Sequence, residues 1–425
     1  MSSQEHRTAS TRGSFREVPY MGVIWVVHEA VQRGFYNGHP DWCNLGQGQP
    51  EVGEMAGAPP RLMQVALDPT DHAYGPLGGT DELREVIAAH YNRLYRQGKS
   101  SQYTKDNVSV ASGGRLALTR VVAALADGPL AYQVPDYTAY EDLIGYHAHR
   151  LEPVLLEGRE ENGFQVPAAE LEEAVRERGA RAFIYSNPCN PTGNVVSGDE
   201  LARYCAIGRD NGCTMLHDEF YSHFIYGADG GPGDGPVSAA AHVDDVERDP
   251  QIIIDGLTKS FRYPGWRCGW AIGPSEMIEA INRSSSAIDG GPSRIVQRAA
   301  LEVLQPKRAD QETTALREVF ARKRGIMLRM LGEMGITTAR DPQSTFYVWA
   351  SIAKLPDGFN DADEFFFKAI ERRVMTVPGR FFNVDPRHER GNEHPYRQWV
   401  RFSFGPPEDN MVMGLTRLQE MLREG

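Results

Sequence analysis

The chain predicts an α/β fold: a large domain with a mostly parallel central sheet covered by helices, plus a smaller α+β domain. Three observations predict it. Strand-like and helix-like stretches alternate from about residue 107 to residue 273. Polar and glycine-rich clusters recur where the strand-like stretches end. From about residue 296 the chain turns helical and then closes with short strands. Strands alternating with helices specify a parallel sheet covered on both faces, and such sheets bind ligands beyond the carboxyl ends of their strands.

The elements follow in order. Residues 1 to about 15 are polar and read as a disordered or partner-clasping arm. "VIWVVHEAVQRGF" has helical spacing, and "CNLGQGQPEVG" is a turn-rich loop. "GTDELREVIAAHYNRLYRQG" is an amphipathic helix: Thr80 can cap it, Asp81 and Glu82 sit in its first turn, and Gly98 ends it. Then "NVSVASGG" reads as a strand into a glycine turn, "RLALTRVVAALAD" as a helix, "PLAYQVPDY" as a strand and "TAYEDLIGYHA" as a helix. "RAFIYSNPCNPTG" is a strand into a loop, "DELARYCAIGRDNG" a helix, and "CTMLHDEFY", "QIIIDGLTKS" and "RCGWAIGP" are strands. Residues 227–250, rich in Gly, Pro and Asp, read as a long surface loop. "VQRAALEVL" and "ALREVFARKRGIMLRMLGEMG" are helical, and "TFYVWA" and "RQWVRFSFG" are short strands. The expected division is an arm and part of the small domain at 1–60, the large domain at 61–300, and the rest of the small domain at 301–425.

Bulk composition narrows the function classes. The 425 residues are 41% hydrophobic and 24% charged, which is ordinary for a soluble globular protein. A net charge of -12 argues against nucleic acid or an anionic membrane surface as the main partner. Five scattered cysteines without a CxxC pair suggest neither a disulfide framework nor a zinc site, and fit a reducing cytoplasm. The N-terminus lacks the apolar core of a signal peptide. "YMGVIWVVHEAV" is shorter than the roughly 20 apolar residues that span a bilayer.

The chemistry lies in the strand-end clusters. "SGG", Ser112 to Gly114, precedes a helix, where free backbone N–H groups and small residues suit a phosphate. Alone it is also an ordinary turn. Tyr137 in "VPDYTAY" can stack on a flat ring, although a half-buried core tyrosine looks the same. "NPCNPTG", residues 187–193, is more specific: two Asn-Pro turns hold an Asn amide in a fixed orientation. Asp218 in "HDEFY" ends an apolar run, where a carboxylate needs a cation or a strong donor. In "DGLTKSFRYPGWRCGW", Lys259 is a lysine in a chain that favours arginine. A lysine shielded from water can lose its proton and act as a nucleophile, and the Arg267 fork suits a phosphate. Arg401 in "VRFSFG", on a strand with apolar neighbours, can hold a carboxylate bidentately. Together these are the needs of a pyridoxal phosphate site.

With these motifs in this order, from "NLGQGQPE" to "RFSFG", the chain resembles the class I/II aminotransferases, pyridoxal 5'-phosphate (PLP) enzymes of fold type I. The resemblance implies that Lys259 forms an imine with the cofactor and shuttles a proton. It implies that Asp218 keeps the pyridine nitrogen protonated, that Tyr221 and Asn190 bond the ring oxygen, and that Tyr137 stacks on the ring. Gly113, Gly114, the Arg115 backbone, Thr258 and Arg267 would hold the phosphate. Tyr74 in "YGPLGG" resembles the tyrosine that reaches the neighbouring subunit's phosphate, which implies a homodimer. Gly48, Asn190 and Arg401 would receive the substrate carboxylate. The implied reaction is transamination between an α-amino acid and a keto acid.

Some residues depart from the family pattern. Arg262, Tyr263 and Cys268 stand where small or aliphatic residues are usual. Gly256 stands where a serine is common, and "DGG" at 289–291 is unusual. Arg262 and Asp289 motivate an alternative, β-elimination (for instance C–S cleavage) or a specialised oxidation or cyclisation, since the same carbanion serves each. A non-catalytic effector-sensing domain on this fold is a third reading. Only about 40 residues precede "NLGQGQPE" and the chain's net charge is acidic, which argues against the DNA-binding module such regulators carry.

Overall fold

The computed structural model describes residues 18–391 and 394–424. The proposed N-terminal arm, residues 1 to about 15, therefore lies outside the described residues. The centre is a seven-stranded sheet whose spatial order is Val108–Ala111, Gly269–Ile272, Gln251–Gly256, Thr214–Asp218, Ala182–Ser186, Gly128–Val134 and Leu151–Glu157. The inner strands are short runs of buried residues, as a sheet covered on both faces demands. The last five strands in that order are mutually parallel. Gly269–Ile272 is antiparallel to both of its neighbours.

The alternation of strand and helix appears where the sequence predicts it. Helices Gly114–Ala124, Ala139–Gly145 and Gly198–Asn211 connect successive strands. The helix expected to end at Gly98 spans Asp81–Tyr95, and the Thr80 side chain makes no capping bond. Strand Leu151–Glu157 escapes the sequence reading for a physical reason. It is the sheet's edge, pairs on one side only, and carries Pro153, which an edge tolerates.

The stretch 227–250 departs from the expected surface loop in its second half. Ser238, Ala239, Ala240, Val243, Val246 and Asp249 are buried. The fully buried Arg96 guanidinium donates to the carbonyls of Ala240 and Val243, each at 2.9 Å. Glu219 accepts from the Ala239 backbone N–H at 2.7 Å. These bonds satisfy backbone groups that a buried loop would otherwise orphan.

After the sheet, the 28-residue helix Pro306–Glu333 leads into a second, four-stranded sheet. Its order is Val377–Pro378, Trp399–Ser403, Tyr347–Ser351, Thr337–Thr338, all antiparallel. Trp399–Ser403 lies inside this sheet, with Arg401 opposite Trp349 on one side and Val377 on the other. Strand Cys43–Asn44 pairs in parallel with Val374–Met375, tying the N-terminal segment to the C-terminal one. All five cysteines are free and buried. No helix among the described residues is long and apolar enough to cross a membrane.

Candidate active site

The sheet order brings the sequence clusters to one edge. Asp218 is the last residue of its strand, and Lys259 follows the neighbouring strand by three residues. Gly113, Tyr137 and Asn190 follow the carboxyl ends of three other strands. Arg267 precedes the antiparallel strand Gly269–Ile272, so its amino-terminal end shares that edge. Gly269 pairs with Ala111 on one side and Gly256 on the other, which sets Arg267 between the "SGG" turn and the Lys259 loop.

Around the "SGG" turn there is room for backbone only. Gly113 has φ +97°, and a Cβ there would run into the Arg267 guanidinium. A Cβ on Gly114 would strike the Phe220 ring, and one on Gly269 would lie 2.8 Å from the Gly114 nitrogen. Gly256, where the family favours serine, is closed in the same way: its Cβ would sit 2.5 Å from the Cys268 carbonyl. Helix Gly114–Ala124 begins here with no side chain capping its first N–H groups among the described residues. The Thr258 hydroxyl is buried with no hydrogen-bond partner among the described residues. Arg267 is exposed, with φ +53°, and one of its terminal nitrogens donates to the Pro264 carbonyl at 3.0 Å. This leaves an anion-sized set of donors with no anion among the described residues to satisfy it.

Lys259 and Asp218 are held in opposite senses. Burial lowers the Lys259 amine to about 7, and the cations Arg401, Arg115 and Arg267 add to the effect against the pull of Asp218. Its Nζ donates to the Gly48 carbonyl. Burial raises Asp218 to about 6; the Tyr140 hydroxyl, which donates to it at 2.8 Å, and Lys259 act the other way.

Arg401 is a buried cation with no carboxylate partner among the described residues. Its Nη1 donates to the Asn190 side-chain oxygen at 2.8 Å and its Nη2 to the Gly46 carbonyl at 2.7 Å. Its Nε has no partner there. The guanidinium lies over the Tyr347 ring, 4.0 Å from the centroid. A buried unpaired cation costs several kcal/mol unless an anion meets it, so the free edge of Arg401 is chemically suited to a carboxylate.

The remaining sequence-predicted residues are distributed unevenly. Tyr137 is half-buried, and its hydroxyl accepts from the Arg115 Nε at 3.1 Å. Tyr221 bonds Tyr347, with 2.9 Å between the two hydroxyl oxygens. Tyr74 is fully exposed. Arg262 and Asp289, which motivated the β-elimination reading, are committed elsewhere. Arg262 is fully buried, pairs with Glu312 at 2.6 Å and donates to the Glu51 and Gly53 carbonyls. Asp289 is held bidentately by the buried Arg120, the shortest contact being 2.8 Å. Sequence reasoning missed Tyr140 and Tyr347. Tyr140, one helical turn after Tyr137, carried a faint signal. Tyr347 carried none, because its meaning depends on which strand lies beside it.

Comparison with known proteins agrees with this geometry. The family model described as aminotransferase class I and II matches residues 40–418. The aspartate aminotransferase of Streptomyces avermitilis is 29% identical over 398 residues, covering 89% of this chain and 90% of that protein. The aspartate aminotransferase of Pyrococcus abyssi is 28% identical, covering 91% and 93%. Among solved structures, a mutant of Thermus thermophilus aspartate aminotransferase superposes with a TM-score of 0.76 at 23% identity, covering 97% of this chain and 100% of that one. An aminotransferase from Mycobacterium tuberculosis gives 0.77 at 24% identity, covering 96% and 98%. These two likenesses show the shared fold. With the family model spanning most of its length, the chain belongs to the class I and II aminotransferase family.

Proposed function

We propose that this aminotransferase binds pyridoxal 5'-phosphate through Lys259 and moves the amino group of an α-amino acid to a keto acid. The observation that carries the reading is the Lys259 amine, lowered to about 7 among three arginines and opposite one buried carboxylate. The surroundings fit the cofactor. The unpartnered Thr258 hydroxyl, the glycine cradle that a Cβ would fill and the exposed Arg267 suit its phosphate. Buried Asp218 suits its ring nitrogen, and Tyr137 suits its face.

When bound, the cofactor supplies an electron sink for the substrate carbanion. The chain's own residues do the rest. Arg401, braced by Asn190 and Gly46, would receive the substrate α-carboxylate and fix which bond faces Lys259. A lysine near pH 7 can accept the α-proton and return it, since a base works best with a pKa near the working pH. Asp218, ionised above about 6, would hold the ring nitrogen's proton. The exposed Tyr74 suits a reach into a second copy of the chain, so the working unit is proposed as a homodimer. The relatives named aspartate aminotransferase make aspartate and glutamate the first substrates to try.

The test is a visible absorption titration of the cofactor-loaded protein with amino acids, with assays for keto acid, ammonia and aminated cofactor. Bleaching of the band with keto acid and aminated cofactor formed in equal amounts is the expected result. Lys259→Ala should lose the band and at least about 10²–10⁴-fold in rate. A band that persists while ammonia accumulates would refute transamination. No band at all would refute the role of Lys259.

A further inference from the structure

We propose that Tyr347 is a positioning residue: it donates its hydroxyl proton to Tyr221 and so leaves the Tyr221 proton aimed at the cofactor's ring oxygen. The inference rests on the cofactor reading above and concerns how that site is tuned.

The argument begins with a count of protons. Tyr221 and Tyr347 are both buried, and their hydroxyl oxygens are 2.9 Å apart. Each phenol carries one proton. Within the described residues each hydroxyl has the other as its hydrogen-bond partner. A ring oxygen beside Tyr221 adds one acceptor. The chain Tyr347 to Tyr221 to ring oxygen then satisfies both protons. In the reverse sense Tyr221 would spend its proton on Tyr347, and the ring oxygen would lose the Tyr221 donor and keep Asn190 alone. The Tyr347 proton would then need another acceptor, and the guanidinium of Arg401, stacked on that ring at 4.0 Å, has none to offer. The same cation makes Tyr347 the better donor of the two, because a positive charge over the ring favours release of the phenol's proton.

The backbone holds Tyr347 in this role. Thr345 adopts φ +65°, and its hydroxyl accepts from the Tyr347 N–H at 3.1 Å. The Ser344 hydroxyl donates to the Tyr221 carbonyl at 3.4 Å, and the Ser344 N–H to the Gly193 carbonyl at 2.9 Å. The segment is thus pinned both to the Tyr221 turn and to the end of "NPCNPTG". The titratable and charged groups bearing on the pair are Tyr137, Arg401 and Lys259, whose Nζ lies 5.8 Å from the Tyr221 ring centroid. Arg115, Arg267 and Asp218 act through Lys259.

The test is a double-mutant cycle read in the pH titration of the visible band of the Lys259-linked cofactor, with no turnover required. Tyr347→Phe keeps the ring beneath Arg401, so folding and cofactor loading should be retained. A donor to the ring oxygen favours the deprotonated form, so weakening that donor moves the midpoint up. The expected shift is about 0.4 to 1 pH unit, the size of one ordinary hydrogen bond. In a Tyr221→Phe background the same change should shift the midpoint by less than about 0.2 unit, because Tyr347 then has nothing to orient. An unshifted midpoint in Tyr347→Phe overturns the inference. So does an equal shift with and without Tyr221, which would mark a general change in the pocket. A wild-type protein that forms no band overturns the cofactor reading itself, which separates the two failures.

Discussion

Replacing Tyr140 with phenylalanine removes one donor from a buried carboxylate whose other supports are the Phe220 backbone N–H and the Lys259 charge. Asp218 and Tyr140 are both buried, and the bond between them is 2.8 Å. Burial alone pushes the Asp218 carboxyl up; the Tyr140 hydroxyl is the foremost group holding it down at about 6. A hydrogen bond to a charged acceptor is worth about 1.5–3 kcal/mol, or roughly one to two pH units. Tyr140→Phe should therefore carry Asp218 from about 6 to roughly 7–8. At pH 7 the wild-type carboxyl is about ten-to-one ionised; in the variant half or more would be protonated. Only the ionised form can keep the cofactor's ring nitrogen protonated. The acid limb of kcat/KM against pH should move up by about one to two units, while the plateau at high pH changes little. A protonated ring nitrogen beside Asp218 would lower both proteins together, so the difference between them would survive. An acid limb within about 0.3 unit of wild type, in a protein that still binds cofactor, would show that Tyr140 does not set the charge of Asp218.

Two further outcomes concern stability. Asp255 is buried and raised by burial to about 8, although the Gly256 N–H and the Ser222 hydroxyl oppose the shift. A carboxyl raised in the folded state binds a proton there that the unfolded chain has already lost. Its stabilisation is therefore full below about 4 and fades as pH rises towards about 8. Asp255→Asn removes that slope, about 1.4 kcal/mol per pH unit, so between pH 5 and 7 the variant should lose less stability than wild type by about 3 kcal/mol in urea unfolding. Parallel curves for the two proteins would count against a neutral Asp255. Glu312→Ala should cost about 3–5 kcal/mol, because it strands the fully buried Arg262 and the neighbouring Arg61 without their shared carboxylate. Differential scanning calorimetry would read it, and a melting temperature within about 1 °C of wild type would contradict it.

Much of the candidate site was legible because its signals are local. A lysine behind Gly-Leu-Thr, a carboxylate closing an apolar run, a glycine pair opening a helix and a doubled Asn-Pro turn are each written within a few neighbouring residues. Their chemistry depends on backbone conformation that those neighbours set. The alternation of strand and helix is legible for the same reason, since burial on both faces selects continuous apolar runs. The edge strand Leu151–Glu157 broke that pattern and was lost with it.

By itself, then, the sequence determined the periodicity of the sheet, the residue types at its strand ends and the family they resemble. Only the tertiary structure decided which of those residues meet. Tyr140 and Asp218 are 78 positions apart, Tyr221 and Tyr347 are 126 apart, and Arg401 and Asn190 are 211 apart. Strand order and register join each pair, and neither is encoded near any of the residues concerned. The same order decided that Arg262 and Asp289, the residues that motivated the β-elimination reading, are spent on Glu312 and Arg120. A buried charge takes whatever partner the packing brings within reach, and a single sequence does not say which one that is.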